Sequence, residues 1–312
     1  MGFLYLLEKI RMRGLNELML AVTKLGEETA FLIIAMVVFW CVDKKKGYYL
    51  LAVGFVGTII NQFLKLYFRI PRPWVRDPDF TILEQAKEAA AGYSFPSGHT
   101  QSAVGTFGAL AVSTNKRGLR WFFVLLAALV GFSRMYIGVH TPADVLVSAG
   151  IACMLILALK NTALSGNEIQ MKLLIGFMLL LSVGYLLFVS FWNFPDDVDA
   201  HNLESGTKSA YALLGALVGL ALVYVSDKKW LNFPVKAVWW VQVIKVAVGM
   251  LLVLAVKEGL RAPLELVLPV YPARAVRYGL IVIMAGIIWP MSFAKLSLLG
   301  RKMEDTSELR ND

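Results

Sequence analysis

The sequence predicts an all-α fold: a polytopic transmembrane helix bundle of about nine spans in a single membrane domain covering residues 1–312. Three observations predict it. Of the 312 residues, 58% are hydrophobic and only 17% charged, whereas soluble domains lie nearer half apolar and a quarter charged. The mean hydropathy is +0.63. Runs such as "LLAVGFVGTIINQFLKLYF" and "LLIGFMLLLSVGYLLFVSFW" supply the roughly 20 apolar residues with which a helix crosses hydrocarbon.

Residues 1–27 are amphipathic and charged through their middle, which predicts an interfacial N-terminal helix rather than a signal peptide. Nine apolar segments follow, at Glu28–Val42, Tyr48–Phe68, Gly98–Ser113, Leu119–Ile137, Pro142–Leu159, Met171–Trp192, Thr207–Ser226, Val235–Val256 and Arg277–Ala294. The first and fifth are short. Alternating sides puts "DKKKG", "NKRGLR", the stretch 160–172, "DKKWLNFPVK" and the tail "KLSLLGRK" on one face. All are basic, so that face is expected to be cytoplasmic. The other face receives the Arg69–Pro96 loop, the acidic "FPDDVDAHNLESG" and the Glu258–Val276 loop, which carries Arg261 and Arg274.

The net charge of +9 comes from short loops without a dense basic tract, which argues against a nucleic-acid partner. Cys41 and Cys153 lie far apart within apolar runs, so neither a structural disulfide nor a thiolate metal site is expected.

Three polar clusters interrupt the apolar chain, all on the non-cytoplasmic face. "KLYFRIPRPW" carries Lys65 and Arg72-Pro73; "YSFPSGHT" carries Ser97, Gly98 and His99; "SRMYIGVHTPAD" carries Ser133, Arg134, His140 and Asp144. Singly, each has an ordinary reading: Lys65 as a basic side chain snorkelling to the interface, Ser97 as a helix cap, His140 and Asp144 as an exposed i,i+4 pair. His201, among carboxylates, reads as a solvated loop residue. Together they make an anion site. Arginine forks match phosphate oxygens, and a helix start offers backbone N–H groups. A carboxylate against one imidazole nitrogen leaves the other free as base or nucleophile.

The order and spacing of Lys65, Arg72-Pro73, Pro96-Ser97-Gly98-His99, Ser133-Arg134, His140 and Asp144 resemble the tripartite signature of the phosphatidic acid phosphatase type 2 superfamily. The resemblance spans about a quarter of the chain. It implies a metal-independent phosphatase without cofactor, working through a phosphohistidine. His140 would attack phosphorus, Asp144 would orient it, and His99 would protonate the leaving oxygen and then activate water. Lys65, Arg72 and Arg134 would hold the phosphoryl oxygens, helped by Ser97, Ser133 and the Gly98 amide. It also implies a six-helix phosphatase core, placed at residues 28–192, with residues 193–312 as additional transmembrane helices. Nine spans resemble the sphingosine-phosphate phosphatase and glucose-6-phosphatase branches.

The expected function is therefore an integral membrane phosphatase in the cell membrane acting on a lipid phosphate monoester or diphosphate. Candidates are phosphatidic acid, phosphatidylglycerol phosphate, a sphingoid phosphate and a polyprenyl diphosphate. Two alternatives stay open: a phosphotransferase delivering the group to a lipid or sugar hydroxyl, and a non-catalytic transporter or scaffold with a relic phosphate site.

Overall fold

The computed structural model describes residues 1–87, 90 and 92–299. Every regular element among them is helical. Arg301 and Lys302, at the end of the basic tail, lie outside the described residues.

The amphipathic N-terminal stretch divides into two helices, α1 (Gly2–Lys9) and α2 (Arg13–Thr23). Leu4, Leu7 and Met19 are buried while Leu6 and Leu18 are exposed, so each helix turns one apolar face to the bundle. A 3-10 turn, Lys24–Gly26, leads into α3 (Glu28–Val37) and a π turn, Val38–Val42. The two halves of this N-terminal arm meet at 56°.

Several of the remaining helices start on side-chain caps. In α4 (Lys44–Phe68), Asp43 accepts from the Lys46 amide at 3.0 Å, and Arg69 ends the helix in the left-handed region. A single turn, α5 (Pro73–Arg76), precedes α6 (Gly98–Ser113), α7 (Arg117–Tyr136), α8 (Pro142–Leu164) and α9 (Glu168–Phe191). The C-terminal part holds α10 (Ala200–Ser226), α11 (Trp239–Gly259), the short α12 (Arg261–Val267) and α13 (Val270–Ile283).

All nine predicted apolar segments contain helix, but nine spans do not result. Among the described residues, seven helical runs are long and apolar enough to cross a membrane, and eight if the bent N-terminal arm counts as one span. The segment that falls short is α6, whose 16 residues reach only about 24 Å at 1.5 Å per residue. It packs against α4, α7 and α8. A helix surrounded by protein need not match the thickness of the bilayer, and its Thr100, Gln101 and Thr106 are buried. A second difference concerns the loop expected over Glu258–Val276. It is largely helical, and α13 begins at Val270, drawing Arg274 into the bundle.

Small residues seat α13 on α10. A Cβ at Gly215 would come within 1.9 Å of the Ala275 carbonyl oxygen, and one at Gly219 within 2.8 Å of that of Gly279. This is the small-xxx-small packing by which membrane helices bring their backbones together. Gly215→Leu is therefore expected to destabilise the protein by about 1–3 kcal/mol or more through overpacking, read as a lower thermal unfolding midpoint in detergent. Gly150→Leu on α8, where a Cβ meets nothing within 4 Å, should leave the midpoint near that of the parent.

Candidate active site

The three polar clusters meet at one end of the bundle, where α4 and α7 finish and α6 and α8 begin. Pro73 occupies the first position of α5 and holds Arg72 extended just before it. Gly138, at φ +89°, lets the chain turn after α7 so that the Val139 and His140 amides both donate to the Arg134 carbonyl, at 3.2 and 3.3 Å. Thr141 and Asp144 then start α8 with a reciprocal capping box. The Asp144 amide donates to Thr141 Oγ1 at 3.3 Å, and the Thr141 amide to Asp144 Oδ2 at 2.7 Å.

Lys65, Arg72 and Arg134 are all buried, and backbone oxygens or hydroxyls hold each of them. Lys65 Nζ donates to the Tyr93 carbonyl. Arg72 Nε donates to the Gly92 carbonyl and Nη1 to that of Val139, each at 3.0 Å. Arg134 Nη1 donates to Thr23 Oγ1 at 2.7 Å.

The tautomer of His140 follows from its neighbour. Its Nε2 lies 3.0 Å from Arg72 Nη1, and a guanidinium only donates. Nε2 is therefore the acceptor, and Nδ1 carries the proton of the neutral ring. Nδ1 faces Asp144 Oδ2 at 3.6 Å, beyond hydrogen-bond range. Burial, reinforced by Arg72, Arg134 and Lys65, holds the imidazole well below its ordinary pKa. A neutral ring results, with its one lone pair on Nε2 unprotonated and held by Arg72, and a ligand that takes over Arg72 would release it as a nucleophile or base.

A cavity of about 280 Å³ opens among these groups. Six of the nine sequence-predicted residues line it: Lys65, Arg72, Gly98, His99, Arg134 and His140. The other three sit behind its wall. Ser97 caps α6, accepting from Thr100 Oγ1 at 2.9 Å. Asp144 stands beneath His140, and Ser133 Oγ donates to its own helix at the Val130 carbonyl, 2.7 Å away. Asn61 Nδ2, both polar ends of the Gln101 amide and Ser102 Oγ are buried at the cavity without a hydrogen-bond partner among the described residues. Buried polar atoms are seldom left so, and the three residues that carry these line the cavity.

Sequence reasoning missed several contributors. Ser94 Oγ donates to Asp144 Oδ2 at 2.7 Å, and it stood within the quoted "YSFPSGHT" stretch. Thr23, which holds Arg134, comes from the N-terminal arm. So do Gly26 and Glu28, which line the cavity. A Cβ at Gly26 would lie 2.8 Å from the His99 carbonyl oxygen, so glycine allows the arm to close on α6.

Residues 45–165 match the family model described as PAP2 superfamily, and residues 211–302 match that described as PAP2 superfamily phosphatase, transmembrane extension. The chain is similar to "Undecaprenyl-diphosphatase BcrC" of Bacillus subtilis, with 35% identity over 102 residues, covering 33% of this chain and 50% of that protein. It is 29% identical to "Phosphatidylglycerophosphatase B" of the same organism, covering 49% of this chain and 77% of the relative. With "Probable sphingosine-1-phosphate phosphatase" of Dictyostelium discoideum it shares 33% identity over 43% of this chain and 35% of the relative. Thus the chain spans half of the first relative's length and about a third of the last.

An anion site of this kind is expected to bind orthophosphate, measured by calorimetry on the purified protein. Arg72→Gln should weaken binding about tenfold or more, the loss of a charge-assisted contact. Thr23→Val, which removes only the hydroxyl holding Arg134, should weaken it by a smaller factor.

Proposed function

We propose that this chain, which belongs to the PAP2 superfamily, hydrolyses a lipid phosphate monoester or diphosphate through a phosphohistidine, without a metal ion. One observation carries the reading: three buried cations and two histidines border one cavity, and His140 Nε2 is unprotonated there, accepting from the Arg72 guanidinium.

The chemistry follows from those positions. A phosphoryl group entering the cavity takes over the Arg72 guanidinium and gains Lys65 and Arg134. The first turn of α6, at Gly98 and His99, adds backbone N–H groups and the positive end of a helix dipole. His140 Nε2 attacks phosphorus, forming the N–P bond as the P–O bond to the alcohol breaks. Burial and the three cations hold the empty-site His99 below its ordinary pKa; the phosphoryl dianion offsets those cations, so that His99 takes up a proton as substrate binds and hands it to that departing oxygen. His99, now neutral, takes a proton from water as the water oxygen attacks phosphorus. The N–P bond breaks, orthophosphate leaves, and His140 is restored. Asp144, pinned by Ser94 and the Thr141 amide, offsets the positive charge that His140 gains. Phosphoryl transfer depends chiefly on such positioning and charge stabilisation.

Substrate is proposed to enter from the membrane with its tail in hydrocarbon. Undecaprenyl diphosphate, phosphatidylglycerol phosphate and sphingosine 1-phosphate, named for the three relatives, belong in the assay panel with phosphatidic acid. The active-site end is proposed to face away from the cytoplasm. Lys44, Lys45 and Lys228 cluster between helix ends remote from the catalytic cavity, and basic loops stay on the cytoplasmic side.

Purified protein is expected to release phosphate from at least one of these lipids in excess chelator. His140→Ala should lower turnover by ~10³-fold or more, as removal of a nucleophile does. Orthovanadate, which adopts the trigonal-bipyramidal geometry of phosphoryl transfer, should inhibit. Absence of phosphate release across the panel, with parent and His140→Ala alike, would sink the reading.

A further inference from the structure

One part of the catalytic cavity is not used by the cations and histidines that transfer the phosphoryl group. Asn61 of α4 lines it, with Gln101 and Ser102 of α6, beside His99. Asn61 and Gln101 are only 3% and 4% exposed. Asn61 Nδ2, both polar ends of the Gln101 amide and Ser102 Oγ have no hydrogen-bond partner among the described residues. Gly57, Asn61 and Lys65 recur every fourth residue, along one face of α4. A Cβ at Gly57 would collide with the Gln101 amide, so glycine makes room for it there. Asn61 Oδ1 lies 3.6 Å from where a Cβ on Gly98 would stand, at the first turn of α6. Ser102 follows His99 by three residues, on the same side of that helix.

These groups suit a small uncharged ligand that both donates and accepts. None carries a charge, which sets them apart from Lys65, Arg72 and Arg134. A buried amide left without a partner is costly, and buried water meets such groups with about three hydrogen bonds. One water takes about 30 Å³ of liquid volume, whereas the cavity measures about 280 Å³. It has room for water beside a phosphoryl group.

We propose that Asn61, Gln101 and Ser102 hold the water that hydrolyses the phosphohistidine, a role that rests on the phosphatase reading above. While lipid is bound, the water is kept within one turn of His99 along α6. Once the alcohol leaves, the water takes the position its oxygen vacated, in line with the N–P bond. His99 removes one water proton, the new O–P bond forms, and the N–P electron pair returns to His140 Nε2. Asn61 Nδ2 donates to the water oxygen, and Gln101 Oε1 accepts from its remaining hydrogen. The three side chains do not act on the bond broken in the first half of the reaction. They are positioning residues for the second half alone.

The test follows the two half-reactions separately in the full-length protein in detergent. The probe is the panel lipid that the parent turns over fastest, ³²P-labelled in its terminal phosphate, with rapid acid-free quenching. Gln101→Met and Asn61→Leu keep the side-chain size and remove the amide. Such exchanges of an unpaired polar group are tolerated by the fold, which the unfolding midpoint checks. Each variant is expected to lose phosphate from the phosphoenzyme about tenfold more slowly, the effect of one hydrogen bond to the reacting water. Phosphoenzyme should form at the parent's rate and accumulate. Accordingly kcat falls, while kcat/KM, which ends at alcohol release, stays at the parent's value. Equal slowing of both halves would make these residues structural and overturn the proposal, as would an unchanged second half in both variants. Turnover without phosphoenzyme in parent and variants overturns it too. If the parent and His140→Ala alike release no phosphate across the panel, the phosphatase reading fails and the proposal falls with it.

Discussion

Three like charges buried side by side are the constraint around which this end of the protein is organised. Unit charges about 6 Å apart repel by roughly 3 kcal/mol even at an effective dielectric of ~20, and burial adds a desolvation penalty to each. Among the described residues the buried carboxylates are Asp144 and Asp227, and Asp227 pairs with Lys44 elsewhere in the bundle. Lys65, Arg72 and Arg134 are instead steadied by the Gly92, Tyr93 and Val139 carbonyls and by Thr23. Carbonyls orient a cation without neutralising it, so the cluster keeps its positive potential for an incoming phosphoryl group.

The surrounding architecture follows from holding that cluster together. The loop at residues 92–94 serves three partners at once, through two carbonyls to the cations and a hydroxyl to Asp144. Asp144 is bound by Ser94 and by its own capping box, so the start of α8 and the carboxylate beneath His140 are the same device. The N-terminal arm closes the site from outside the core, with Thr23 on Arg134 and Gly26 against His99. The glycine seam between α10 and α13 seats the extension so that Arg274 lines a small cavity beside the catalytic one.

Much of this was legible in the sequence. Apolar run lengths predicted a helical membrane bundle, and the segment starting at Pro142 put His140 just ahead of a helix and Asp144 in its first turn. What stayed hidden depended on contacts distant along the chain. Thr23 and Arg134 are 111 residues apart, and neither local spacing nor composition joins them. The resemblance alone made Ser133 a phosphate contact, and spacing could not show that its hydroxyl donates to its own helix. Hydropathy could not reveal that α6 is enclosed by other helices, which is why nine apolar segments give seven or eight candidate spans. In the sequence Arg274 looked like a loop charge on the non-cytoplasmic face. Folded into α13, it faces a cavity instead.

The central claim is that His140 Nε2, kept unprotonated by its contact with Arg72 and backed by Asp144, receives the phosphoryl group. Rapid acid-free quenching during turnover of a ³²P-labelled lipid, followed by peptide mass spectrometry, tests it most directly. The account predicts a phosphoryl group on the peptide containing His140, stable to base and labile to acid, that is absent from His140→Ala. Turnover with no phosphoenzyme, or a phosphoryl group on another residue in an active protein, would contradict it.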